Sequence, residues 1–146
     1  MNKKEIIQRL IDKDNKKAYE YVKKIGIEST KSNKYLDMIP DFASMLQDKS
    51  SLVRTRFFIL ICKQARWADD DQFEDVFKQM KILLNDPKPT VVRQCLIALH
   101  EVALFRPKMC NTIRKTVSKI DLSIYKDSMK PLIKKDIDEL LKRVNN

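Results

Sequence analysis

One histidine, His100, and three cysteines, Cys62, Cys95 and Cys110, are the residues here best suited to nucleophilic, acid–base or metal chemistry. A catalytic or zinc site of the common kinds needs several such groups at set spacings. None of the cysteines stands in a CxxC, no HExxH pair exists, and the cysteine spacings of 33 and 15 residues make no cluster motif. Each thiol sits within an apolar helical pattern, which reads as a small buried hydrophobe in a reducing compartment. His100 lies among Ile97, Leu99 and Ala103, the setting of a packed core or interface imidazole. The single glycine, Gly26, cannot build a phosphate-cradling loop or a nucleophile elbow. No cofactor and no metal is expected, and most enzyme chemistry is excluded.

Helices must position whatever remains. Apolar residues recur at spacings of three and four, and no stretch alternates with period two. The pattern predicts eight helices, at about 3–12, 15–25, 35–47, 50–66, 70–85, 89–105, 107–119 and 127–144. Gly26 suits a left-handed C-terminal position after the second, and residues 28–33 read as a loop. Pro40 should kink the third helix or mark its true start. Asp69, Asp70 and Asp71 favour the positive end of the fifth helix dipole.

The 146 residues suit one domain, 1–146, and 34% charged residues with 43% hydrophobic ones suit a folded soluble chain. The basic opening has no long apolar run behind it, so it does not read as a signal peptide. The longest apolar run, Phe57 to Cys62, is too short to cross a bilayer, and a cytoplasmic protein with no membrane partner is the expectation.

The strongest signal is an internal repeat. Met45-Leu46-Gln47-Asp48 leads to Leu52-Val53-Arg54, and Leu83-Leu84-Asn85-Asp86 leads to Val91-Val92-Arg93. Asp48 to Asp86 is 38 residues and Arg54 to Arg93 is 39. Beyond the arginines Phe57 aligns with Leu96, Phe58 with Ile97 and Leu60 with Leu99.

At these residues the chain resembles the HEAT-repeat (armadillo-like) family, whose turn carries an Asp and whose second helix opens with Val-Arg. The likeness is firmest over 35–67 and 69–106 and looser over 3–25 and 107–144. It implies an all-α, right-handed α-solenoid of about four helix pairs. It also implies a structural ladder between repeats made by Asp48, Arg54, Asp86 and Arg93. The segments Val53 to Arg56, Gln64 to Trp67, Lys88 to Cys95 and Tyr125 to Met129 are similar to small bacterial HEAT proteins, some labelled SufBD after iron–sulfur scaffolds. Those scaffolds are built on β-helices, whereas this pattern is helical throughout.

The net charge of +10 is unevenly spread. Residues 49–67 carry five Lys/Arg and no acid, whereas residues 68–86 carry two against six. The family's second helices line a concave side, which would place Arg56, Lys63 and Arg66 at a basic rim, with Ile59, Ala98 and Val102 on an apolar floor. The other reading makes these floor residues core, with the register one residue off, and the lysines a solubility device. An apolar floor with a basic rim suits a protein or acidic peptide, so a non-catalytic scaffold is expected. The alternative is a nucleic-acid-binding module on the basic second helices. A more distant one follows HEAT-like DNA glycosylases, with Trp67 stacking on a base and a nearby aspartate stabilising charge.

Overall fold

The computed structural model describes residues 1–145, and among them every regular element is helical. Eight α-helices follow one another: α1 Lys3–Leu10, α2 Asn15–Ser29, α3 Ile39–Ala43, α4 Ser51–Lys63, α5 Asp70–Met80, α6 Pro89–Phe105, α7 Cys110–Val117 and α8 Lys130–Val144. Four starts carry a side-chain cap. Asn2, Asp14, Ser50 and Asp69 each accept a backbone N–H of the first turn of α1, α2, α4 and α5. Pro40, Pro89 and Pro131 lie in the first turns of α3, α6 and α8, where a missing N–H costs nothing. Pro40 therefore marks a start. The helix expected over 35–47 is cut to five α-helical residues, preceded by a 3-10 turn over Leu36–Met38.

Gly26 departs from expectation. It lies inside α2, and no residue among those described has a positive φ. A Cβ there would meet only the Lys63 side chain, 3.4 Å away at Cε, which is ordinary contact with the end of a flexible chain. Helix α2 runs on because Ile25, Gly26 and Ser29 are still packed inward, and Thr30 Oγ1 closes it by donating to the Ile27 carbonyl at 2.7 Å.

The even-numbered helices form a layer in chain order, α2 against α4, α4 against α6, and α6 against α8. On the other side α3 packs on α4 and α5, and α5 reaches the 3-10 turn that leads into α7. Helix α4 is covered by α2, α3 and α6, which is why it is apolar on nearly every side. Helix α5 is covered on one side alone and keeps a clean stripe of Phe73, Val76, Phe77 and Met80. Phe42, Phe57, Phe58, Phe73 and Phe77 are fully buried between the layers. Each contributes about 1.5–3 kcal/mol relative to an exposed ring.

Two buried carboxylates, Asp86 and Asp136, tie segments distant in the chain. Arg54 donates from Nε and Nη2 to both Asp86 oxygens at 3.0 and 3.1 Å, and from Nη1 to the Asp48 carbonyl at 2.9 Å. Asp48 itself contributes its main chain to this contact, while its carboxylate accepts the amide of Ser50 at 2.9 Å. Arg93 donates to Asp136 at 2.7 Å, and Tyr125 donates its hydroxyl to the Asp86 carbonyl at 2.6 Å. The carboxylate that receives Arg93 therefore sits mid-helix in α8, where no turn Asp marks it.

Candidate functional site

Helical spacing places Lys16, Tyr19, Lys23 and Ile27 in one row on α2. Leu52, Thr55, Ile59 and Lys63 form a row on α4, and Gln94, Ile97, Glu101 and Leu104 one on α6. Because the even-numbered helices lie side by side, these rows merge into one face. Two adjoining hollows open on it. The larger, about 1080 Å³, lies between α2, α4 and the start of α6. The smaller, about 440 Å³, lies between α4, α6 and Arg143 near the end of α8. Ile59, Lys63 and Gln94 belong to both.

The face is unusually apolar for one open to water. Tyr19, Ile27, Leu52, Ile97 and Leu104 are between 51% and 60% exposed. They are five of the eleven large apolar side chains exposed among the described residues, and all five line the two hollows. Single exposed apolar residues are ordinary, but a shared patch marks an interaction surface.

The charges divide between the hollows. In the smaller, Glu101 receives Lys63 Nζ at 2.9 Å and Arg66 Nη2 at 3.8 Å. The Arg66 guanidinium also lies 4.2 Å from the centre of the Phe105 ring. Arg143 Nε donates to Nδ1 of His100 at 2.7 Å, which requires that nitrogen to be unprotonated. Burial first, and the Arg143 charge second, hold the His100 imidazole below its ordinary pKa. In the larger hollow, Lys16 and Lys23 make no ion pair among the described residues; Lys23 Nζ lies 5.1 Å from the Tyr19 ring centre.

The residues expected at this face fare differently. Ile59 lies at the junction of the hollows, and Ala98, Lys63 and Arg66 line the smaller one. Val102 is a correction: it is fully buried, because one residue past Glu101 turns about 100° around the helix and into the core. Arg56 is a second correction. Its guanidinium is buried and donates to the Leu10 carbonyl at 3.0 Å and to Asn15 Oδ1 at 2.8 Å. The Leu10 carbonyl is one of those left unpaired at the end of α1, so Arg56 caps that helix from α4. The second-helix cations offered to a phosphate backbone, Arg56, Lys63 and Arg66, are thus all engaged within the chain.

Trp67 donates its indole N–H to the Ser29 carbonyl at 2.6 Å. Asp69 caps α5, and Asp70 meets Arg106 and Lys108 at 3.5 and 3.8 Å, so two of the three aspartates beside Trp67 are engaged within the chain. Cys62 and Cys95 are buried, and burial pushes both thiols well above their ordinary pKa. Sequence reasoning missed Tyr19, Ile27, Leu52, Ile97 and Leu104. Their signal was an apolar residue outside the core stripe of its helix. Ile97 was hidden by its alignment with Phe58, which is fully buried, whereas α6 is uncovered at Ile97.

Fold and face together define a helical-repeat protein whose prominent open surface is one apolar, partly basic side. A family model, Cnd1, the non-SMC mitotic condensation complex subunit 1, matches residues 23–139, and the chain belongs to this HEAT-like helical-repeat family. Comparison with curated proteins and with solved structures gives no match.

Proposed function

We propose that this chain is a non-catalytic scaffold, a single right-handed solenoid of about four helix pairs that binds a protein or peptide segment on its even-numbered helices. The observation that carries the proposal is the gathering of Tyr19, Ile27, Leu52, Ile97 and Leu104 on one face over two hollows. Apolar side chains held open to water gain about 25 cal/mol per Å² when a partner covers them. The matching family is named for a subunit of a complex, which favours a protein partner. No helix among the described residues is long and apolar enough to cross a membrane.

A random peptide library selected on the intact chain tests this. Enriched peptides should bind the parent and lose binding to Leu52→Glu and Ile97→Glu, with the helicity and melting temperature of both variants retained. Selected peptides that bind all three proteins equally would remove the face from consideration. Tight duplex binding at about 50 mM salt that falls steeply as salt rises would favour nucleic acid instead.

A further inference from the structure

We infer that the larger hollow takes an acidic amphipathic helix, about two turns of it in contact, whose carboxylates meet Lys16 and Lys23. This rests on the reading of the even-helix face as a protein-binding surface and specifies its occupant.

Three observations select that occupant. The first concerns backbone hydrogen bonding. The walls of the hollow are α2, α4 and α6, whose peptide groups are largely spent within their own helices. The Thr55 hydroxyl is spent too, donating to the Ser51 carbonyl at 2.8 Å. An extended segment laid here would bury unpaired N–H and C=O groups, whereas a helix arrives with its own already paired.

The second is dimension. Tyr19 and Ile27 are eight residues apart on α2, about 12 Å along its axis, and Leu52 and Ile59 are seven apart on α4, about 10 Å. Two apolar rows of nearly equal length, each two turns long, match anchors at i, i+3 or i+4, and i+7 on an incoming helix. A helix rising 1.5 Å per residue spans these rows with about seven or eight residues.

The third is charge. Lys16 and Lys23 stand at this hollow without an ion-pair partner among the described residues, and Glu20 is the one carboxylate of its lining. The smaller hollow's cations already have Glu101 and His100. The chain as a whole carries +10, which favours approach of an acidic partner.

The experiment uses the full chain and a set of fluorescein-labelled peptides of about fifteen residues. Each has Glu on its flanks and Leu, Ile or Phe at the helical anchor positions. Controls have the same composition in scrambled order, a central Pro, or Gln for every Glu. Fluorescence anisotropy should show at least one acidic amphipathic peptide binding about tenfold more tightly than all three of its controls, with weaker binding as salt rises. Lys16→Glu with Lys23→Glu should weaken it at least about tenfold, and circular dichroism should show helix gained on mixing. Equal binding of the scrambled or Pro-interrupted peptides, no binding by any acidic peptide, or affinity unmoved by the double variant would each overturn the inference. So would a concentration-dependent dimer abolished by Leu52→Glu, which would assign the hollow to a second copy. If library-selected peptides are still lost on Leu52→Glu while every acidic helix fails, the occupant is wrong and the binding face stands.

Discussion

The two hollows share a wall yet differ in how their charges are disposed. Around the smaller one, Glu101 holds Lys63 and Arg66, and His100 holds Arg143, so each of these cations already has a partner inside the chain. Around the larger one, the buried Arg56 is consumed beneath the floor, and Lys16 and Lys23 stand open at the side. Residue type alone does not separate them, since both combine apolar side chains with Lys and Arg. The difference lies in whether the facing helix supplies a carboxylate. Helix α6 supplies Glu101 to α4, and among the described residues no carboxylate pairs with Lys16 or Lys23 on α2. A cation already paired contributes little to a new partner, because its first contact must be broken before the second is made.

The largest expected effect tests the frame on which both hollows rest. Arg54→Ala would leave the carboxylate of Asp86, which is 7% exposed, with the Lys88 amide but no cation. Breaking a buried pair from one side costs about 3–5 kcal/mol, read as a shift in the urea midpoint at unchanged slope. Arg93→Ala should cost less, because the Arg93 side chain is 33% exposed where that of Arg54 is 15%. Equal losses in the two variants would mean that burial does not set the strength of these ties.

Arg56→Ala should come next, at about 1–3 kcal/mol, since it takes the donor from the buried Leu10 carbonyl, while the exposed Asn15 turns to water. Its damage should be local to the larger hollow. Amide exchange at the α1–α2 turn should accelerate while α6 and α8 stay protected. Uniform acceleration throughout would contradict that division.

How far the sequence reached follows from the same contrast. The 3.6-residue period gave the helices, because it depends on local spacing. Arg54 and Asp86 were legible because both lie in the repeated motif; Asp136 was not, because its partner is 43 residues away and its own surroundings look like any helix surface. Arg56 was misplaced for a physical reason. A lysine or arginine in sequence reads as surface, and its burial depends on whether a helix end supplies free carbonyls, here that of Leu10. Gly26 was misread because a glycine at a helix end and one inside a helix look alike in sequence, and α2 runs on past it to Ser29.

Glu101→Gln sharpens the comparison most directly. It keeps the shape of the smaller hollow and removes the negative charge that balances Lys63 and Arg66. Partly exposed pairs of this kind contribute about 0.2–1 kcal/mol, so the melting temperature should move little. Binding of acidic peptides should rise at the smaller hollow, visible as new peptide-induced shifts at Ile97 and Leu104. Shifts that stay confined to α2 and the start of α4, the pattern expected of the parent, would show that pairing by Glu101 is not what distinguishes the hollows.

The smallest effect is one of pH, and it belongs to the smaller hollow, the closed side whose cations are already paired. Burial and Arg143 hold the folded His100 below its ordinary value of 6.5, opposed by Glu139. The unfolded chain takes up that proton near its ordinary value, so it binds more protons than the folded chain in the window below it. This group's contribution to stability is therefore complete above about pH 6.5 and declines as the pH falls toward the folded value. Denaturation midpoints followed downward through that window should fall in the parent and fall less in His100→Gln, which retains an acceptor for Arg143. An identical pH dependence in both would locate the titration elsewhere. Protonation also removes the Nδ1 lone pair that accepts from Arg143 Nε and sets two cations face to face across the smaller hollow. The closed side would then come to resemble the open one, and acid-induced binding of a carboxylate-bearing peptide at Ile97 and Leu104 would be the direct sign of it.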